Sequence, residues 1–212
     1  MIRYRPIGTI DSPYSKDPDD CSRIAFATTD GHTYTTDHFG SADIYVVYTY
    51  DSTTFLHVED IENSTEEEEV DGDVRKARSI LELLVGRGVD VVVARRFGPN
   101  IRKISRLLVP VVTGTRDISS TLPALASAWN DVLACHEHSA DKRRHVVLET
   151  ANKVAAGIKE GVCQGCGRCI PACPVDALTM EDTCAVIDPI MCVGCGACVS
   201  ACPFDAIEGP AP

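Results

Sequence analysis

The chain has 212 residues, 44% of them apolar, and a formal net charge of −11. That length holds about one medium domain and a small one, the apolar content is ordinary for a globular protein, and the charge argues against nucleic acid as a partner. The opening Met1-Ile2-Arg3-Tyr4-Arg5-Pro6 has no apolar h-region and no stretch approaches the length of a membrane span, so a cytoplasmic protein is expected.

Residues 1–21 carry Pro6, Pro13 and Pro18 among polar turns and read as an extended arm. Its string Tyr4-Arg5-Pro6-Ile7-Gly8-Thr9-Ile10-Asp11-Ser12-Pro13-Tyr14 resembles the opening of a family of tRNA-modifying methyltransferases. No later segment continues that match, and no methyl transfer is assigned. Strands are expected at Arg23–Thr28, Ala42–Tyr50 and Thr54–Ile61, with Asp51-Ser52 turning between the last two. The acids from Glu66 to Asp73 read as a solvated loop leading into a helix start. Val74, Ala77, Ile80, Leu81, Leu84 and Val85 then recur at helical spacing until Gly86 and Gly88.

The wholly apolar run Val89–Ala94 predicts a buried parallel strand. Gly98-Pro99 reads as the opening of a second helix, with the proline at its first position and Ile101, Ile104, Leu107 and Leu108 along it. A fifth strand at Val109–Thr113 and a helix at Ile118–Trp129 follow. Over residues 22–130 this order predicts a mixed five-stranded sheet with helices packed on it. Residues 131–160 read as a helical connector, with Val146, Val147, Thr150, Val154 and Ile158 on one side and Lys142, Arg143 and Arg144 wet.

Residues 161–212 contain a cysteine pattern written twice. Cys163-x2-Cys166-x2-Cys169-x3-Cys173-Pro174 is repeated as Cys192-x2-Cys195-x2-Cys198-x3-Cys202-Pro203, offset by 29 residues throughout. Three thiolates from one tight loop face one cluster, and the fourth, out of reach, ligates the other. The expectation is two [4Fe–4S] clusters, one on Cys163, Cys166, Cys169 and Cys202, the other on Cys192, Cys195, Cys198 and Cys173. Zinc also takes paired CxxC elements but does not require a Cys-Pro in both copies. Eight of the eleven cysteines are thereby committed, which implies a reducing, anaerobic setting rather than a disulfide framework. Asp176-Ala177-Leu178 and Asp205-Ala206-Ile207 follow the two Cys-Pro pairs as matching segments. In 163–212 one arginine stands against six acids, leaving net −5, a charge suited to a basic redox partner.

Ile24-Ala25-Phe26-Ala27-Thr28, Asp37-His38-Phe39-Gly40-Ser41-Ala42, Gly88-Val89-Asp90-Val91-Val92-Val93-Ala94, Phe97-Gly98-Pro99-Asn100 and the strand before Thr113-Gly114-Thr115 carry a resemblance. The segment from Ile24 to about Trp129 resembles the dinitrogenase iron-molybdenum cofactor family, which includes carriers and insertion proteins for nitrogenase cofactor precursors. The resemblance implies an α/β ribonuclease-H-like fold ahead of the small α+β ferredoxin unit, and a role in handling a complex iron–sulfur cofactor. It does not imply nitrogen fixation. The fused ferredoxin departs from simple carriers and suggests a subunit of a larger redox assembly.

His38 and Gly40 lie in the loop after the first strand, while Arg95, Arg96 and Gly98 follow the fourth. If those strands are parallel neighbours, both loops leave the same sheet end, where open α/β sheets bind ligands. The five residues are therefore the candidate cofactor site: imidazole as iron ligand or hydrogen-bond partner, arginines and a helix start as anion binders. The alternative is that His38 and Gly40 only shape a turn and the arginines face solvent. Cys135, His136 and His138 are a weaker metal candidate, Cys21 has no spacing partner, and Cys184 is expected to be buried in its apolar stretch. No P-loop, Ser-x-x-Lys, His-Glu-x-x-His, GxGxxG or CxxxCxxC is present.

The expected protein is not an enzyme. It combines low-potential electron transfer with binding of a complex cofactor, in metalloenzyme maturation or reductive activation. The alternative is a plain electron-transfer subunit whose first domain only docks a partner. A small-molecule enzyme at His38 is disfavoured, because no acid–base pair or nucleophile accompanies it.

Overall fold

The computed structural model describes residues 21–64, 74–137, 145–153 and 155–209. Nearly all of the proline-bearing arm, the acidic run and the stretch Lys142–Arg144 lie outside the described residues. No helix among them is long and apolar enough to cross a membrane.

Strands β1 (Ser22–Thr28), β2 (Ile44–Tyr50), β3 (Phe55–Glu62), β4 (Val91–Ala94), β5 (Val109–Val112) and β6 (Val146–Val147) form one sheet of order β3-β2-β1-β4-β5-β6. β1, β2 and β3 are antiparallel neighbours, whereas β1, β4, β5 and β6 run parallel. β4 is buried at all four positions, which is why its sequence lacks the alternation of a half-exposed strand.

Helix α1 (Val74–Gly86) places Ile80, Leu81 and Leu84 on one sheet face together with Ala25, Val47, Val92 and Val112. Helices α3 (Ile118–Ser127) and α4 (Trp129–Glu137) cover the other face, where Leu125, Trp129 and Val132 meet Ile24, Phe26, Val91 and Val111. Asp117 caps α3 by accepting from the Ser120 N–H at 2.8 Å, satisfying a donor the helix itself leaves free.

The fold departs from three expectations. The connector 131–160 is not one helix, and the sheet has six strands rather than five. Val146 and Val147 pair with Val111 and Val112; their branched side chains suit the strand, and an unpaired edge at β5 is covered. The apparent helical stripe is divided among β6, a 3-10 turn at Glu149–Lys153 and β7 (Gly157–Ile158). The second helix, α2, runs only from Ile101 to Ile104, with Asn100 as its N-cap. Pro99 thus precedes the cap instead of occupying the first helical turn.

β7 pairs with β10 (Ile207–Glu208), and β8 (Leu178–Glu181) with β9 (Cys184–Ile187). Short helices α5 (Cys169–Ala172) and α6 (Ala197–Ala201) complete this second unit. The duplication is written in the backbone: Gly165 and Gly194 have φ of 64° and 67°, Gly167 and Gly196 70° and 72°, Asp176 and Asp205 55° and 50°. Each pair falls at the 29-residue offset, so the two loops share one left-handed path.

The two units are packed together. Val193, 1% exposed, belongs to the same core as α1 and β4, with Val175 and Cys195 against it. The Phe97 N–H donates to the Val193 carbonyl at 3.1 Å, and His145 Nε2 lies 3.0 Å from the Met191 carbonyl. From α2, Arg102 donates to the Pro174 carbonyl and to that of Cys173, the latter at 3.3 Å, and stands 3.6 Å from Asp176.

Gly114, just past β5, lies so close to the turn after β6 that a Cβ would sit 1.6 Å from the Thr150 carbonyl oxygen. The obstacle is backbone and cannot rotate away. Gly114→Ala should therefore cost about 2–3 kcal/mol by overpacking, read as a lower midpoint in denaturant unfolding. An unchanged midpoint would show that the turn yields freely.

Candidate metal centres and the adjoining pocket

The sulfurs fall into two groups. Cys163, Cys166, Cys169 and Cys202 line one cavity of about 330 Å³. Cys173, Cys192, Cys195 and Cys198 line another of about 350 Å³. The fourth cysteine of each motif thus lies with the other motif's three, because α5 and α6 carry it away from its own loop. The donors surround each cavity instead of meeting at one point. Among the described residues, no three or more His, Cys, Asp or Glu are placed to hold a single metal ion.

The walls fit polynuclear iron–sulfur groups. Ala156, Val175, Leu178 and Ile187 line the second cavity, and Met180, Ala185, Phe204 and Ile207 the first, which limits water around the sulfurs. The Ala177 N–H points at Cys173 Sγ and the Ala206 N–H at Cys202 Sγ, both at 3.3 Å. Hydrogen bonds from the Ala185 and Gly165 N–H groups, with a smaller one from the Cys184 thiol, hold Cys163 below the ordinary thiol range. Burial pushes Cys198 up to about 11, and neighbouring thiolates add to it. Burial likewise raises Cys195 and Cys169. Iron would offset this cost by neutralising the gathered thiolates.

Cys184 is exposed, contrary to the expectation of burial. In β9 the strand alternation turns Ala185 inward and Cys184 outward. Cys21 is exposed, and Cys135 packs at the edge of the α3–α4 core. Of the Cys135, His136 and His138 grouping, His138 lies outside the described residues.

A third cavity, of about 410 Å³, is lined by His38, Phe39, Gly40, Ala77, Ile80, Gly98, Pro99, Asn100 and Ile104. Three segments build it: the turn Phe39–Ser41, helix α1, and the β4–α2 loop. Phe39 is 2% exposed and stacks on Phe97 with ring centroids 5.3 Å apart. Its N–H donates to the Arg96 carbonyl at 2.9 Å, and its carbonyl accepts from the Tyr45 hydroxyl at 3.0 Å. These contacts hold the half-buried His38 between two glycines. A Cβ at Gly40 would meet the imidazole at 3.4 Å, and one at Gly98 at 3.6 Å. Ser41 Oγ lies 3.4 Å from His38 Nδ1.

His38, Gly40 and Gly98 are thus brought together, as parallel β1 and β4 require. Arg95 and Arg96 are not part of the lining. Arg96 turns back to the Thr36 carbonyl, and Arg95 Nε is buried without a hydrogen-bond partner among the described residues. The expected anion-binding helix start is also absent, since α2 is one turn long and its Ile101 N–H donates to Gly98. The cavity is apolar apart from His38 and Asn100. Sequence reading missed Ala77 and Ile80, although their helical spacing marked an inward face, and it missed Arg102, which nothing local distinguishes.

Cys173→Ala should abolish the centre shared with Cys192, Cys195 and Cys198 and spare the other, removing about half of the iron. Iron analysis and electron paramagnetic resonance of the reduced protein would read this. Selective loss of the centre held by Cys163, Cys166 and Cys169 would contradict the crossed assignment.

Comparison with known proteins gives two family matches. Residues 20–127 match the family described as dinitrogenase iron-molybdenum cofactor, and residues 162–206 match the 4Fe-4S dicluster domain. No curated protein matches the chain.

Proposed function

We propose, because this chain belongs to the dinitrogenase iron-molybdenum cofactor family, that it serves metalloenzyme cofactor maturation or reductive activation as a subunit of a larger redox assembly. Its dicluster domain would bring low-potential electrons, and its first domain would bind a complex iron–sulfur cofactor at the His38 pocket. The order β3-β2-β1-β4-β5, with β2 antiparallel to its neighbours, supports the ribonuclease-H-like reading of that domain. We assign the chain no catalytic residue and place it in the cytoplasm.

When bound, the two [4Fe–4S] clusters supply one-electron chemistry at potentials within the broad range of roughly −700 to +450 mV. One set would be Cys163, Cys166, Cys169 and Cys202, the other Cys192, Cys195, Cys198 and Cys173. The observation that carries the proposal is the bond from Phe97 N–H to the Val193 carbonyl at 3.1 Å. Val193 sits between two cysteines of the second set, and Phe97 adjoins Gly98 of the pocket. One hydrogen bond therefore joins the second cysteine loop to the pocket wall. His38 offers an imidazole as iron ligand or hydrogen-bond partner. Gly40 and Gly98 pack against its ring, so the imidazole enters the pocket between two residues without side chains.

The apolar lining, with Arg95 and Arg96 outside it, favours a second reading: a protein side chain docks there and the first domain is a docking module. The two readings separate on metal content. Under the first, anaerobically purified protein carries iron or molybdenum beyond the two clusters, and His38→Ala loses that excess with the dicluster spectrum unchanged. Metal equal to the clusters alone, in wild type and mutant, would leave the docking module as the better account.

Arg102 places a cation against the Cys173 and Pro174 carbonyls. A positive charge there favours the reduced state of the neighbouring centre. Arg102→Ala should shift that centre to a more negative potential, Arg102→Lys should partly restore it, and the other centre should hold its value in a spectroscopic redox titration. Equal shifts at both centres would point to a global change instead.

A further inference from the structure

The 29-residue repeat relates the two cysteine cavities position by position. Val175 in the second cavity corresponds to Phe204 in the first, and Val193 to Gln164. On the second motif this face is occupied by the chain's own first domain. Val193 is 1% exposed there, and Val175 packs beside it on the shared core. Arg102 completes the contact by donating to the Cys173 and Pro174 carbonyls and facing Asp176 at 3.6 Å.

On the first motif the matching face is open. Phe204, the counterpart of Val175, is 46% exposed, and Gln164 is exposed as well. Asp205, the counterpart of Asp176, is exposed with the same left-handed backbone, φ 50°. Among the described residues, no arginine or lysine takes Arg102's place at Asp205 or at the Cys202 and Pro203 carbonyls. Met180 and Ile207 line the same cavity, and the exposed acids Glu181, Asp182 and Glu208 follow them in sequence. An exposed apolar residue next to exposed acids is an interaction surface by its composition.

The geometry points to this face as the docking site of an external redox protein, built to the pattern of the intramolecular contact. The partner presents an apolar residue over Phe204 and an arginine or lysine to Asp205 and the Cys202 and Pro203 carbonyls. One electron crosses per encounter, one protein losing it and the other gaining it. Electrons thus pass between the partner and the chain on the Cys163 side, while the Cys173 side faces the chain's own pocket. This rests on the dicluster reading and is independent of what the His38 pocket binds.

The test uses the full holoprotein and a c-type cytochrome with a lysine-rimmed haem edge. Two quantities are measured: affinity between the oxidised protein and ferric cytochrome by calorimetry, and the rate at which reduced protein turns ferric haem ferrous. Both should weaken as salt rises from about 0.01 M to 0.1 M, since screening shortens from about 30 Å to 10 Å. Asp205→Asn, chosen because asparagine tolerates the left-handed backbone, should lower affinity and rate about threefold at the lower salt. Phe204→Ala should weaken affinity about fivefold. Asp131→Asn makes the same charge change on α4, on the far face of the sheet, and should leave both within experimental error.

Equal weakening by Asp205→Asn and Asp131→Asn, or none by either, would overturn the assignment of this face. So would a dimer of the chain that Asp205→Asn dissociates, because the occupant would then be a second copy. Iron content and reduced spectra are recorded for every variant. A wild-type protein without reducible clusters refutes the dicluster reading itself, whereas intact clusters with an insensitive Asp205 refute only the docking face.

Discussion

The arrangement depends on burying one valine from a metal-binding loop in the core of a neighbouring sheet. Val193 is 1% exposed, and removing such a side chain from water contributes about 1.5–3 kcal/mol. The Phe97–Val193 hydrogen bond adds about 1 kcal/mol and fixes the rotation of the loop. With that loop seated, Val175, Cys195 and Arg102 follow as neighbours. A short ferredoxin unit, too small for a large core of its own, gains a second support besides its metal.

The seating also breaks the symmetry of the duplication. Each half has the same glycines, the same Asp after Cys-Pro and the same N–H on its fourth sulfur. Sequence-equivalent faces nevertheless meet different surroundings: one lies on a protein core and the other faces solvent. Duplication supplies two similar centres, and a single interface makes one proximal and one distal. Under the proposed function, in which electrons pass between a partner and the pocket, that inequality would give direction.

The pocket differs in character from the cysteine cavities. Its shape comes from aromatic packing, Phe39 on Phe97, and from two glycines against which an imidazole packs. It has little fixed charge, because the arginines expected at its rim have other geometries. Retention of an anionic group there would rest on His38 and Asn100, which sets the metal-content comparison between cofactor binding and docking apart from any argument about charge.

The repeat, its crossed grouping and the alternation of strands and helices through residue 137 were legible in the sequence, since each is a local pattern: fixed cysteine spacing, a wholly apolar run at β4, a 3.6-residue stripe on α1. His38, Gly40 and Gly98 were legible as a group only through the parallel pairing of β1 with β4. The sequence misled where one spacing served two structures. Val146, Val147, Thr150 and Ile158 trace a helical stripe, yet the open edge of β5 pairs with the first two, and β10 pairs with the last. Pro99 suggested a helix start, but it lies inside the Gly98–Ile101 turn and the helix begins only after Asn100. The side-chain directions of Arg95, Arg96 and Arg102 were decided only in the tertiary structure, because a long flexible cation goes to whichever carbonyl or carboxylate the fold brings near. Which cysteine loop lies against the first domain was likewise settled there: the 29-residue offset makes the two loops nearly equivalent, and only packing against a distant core distinguishes them.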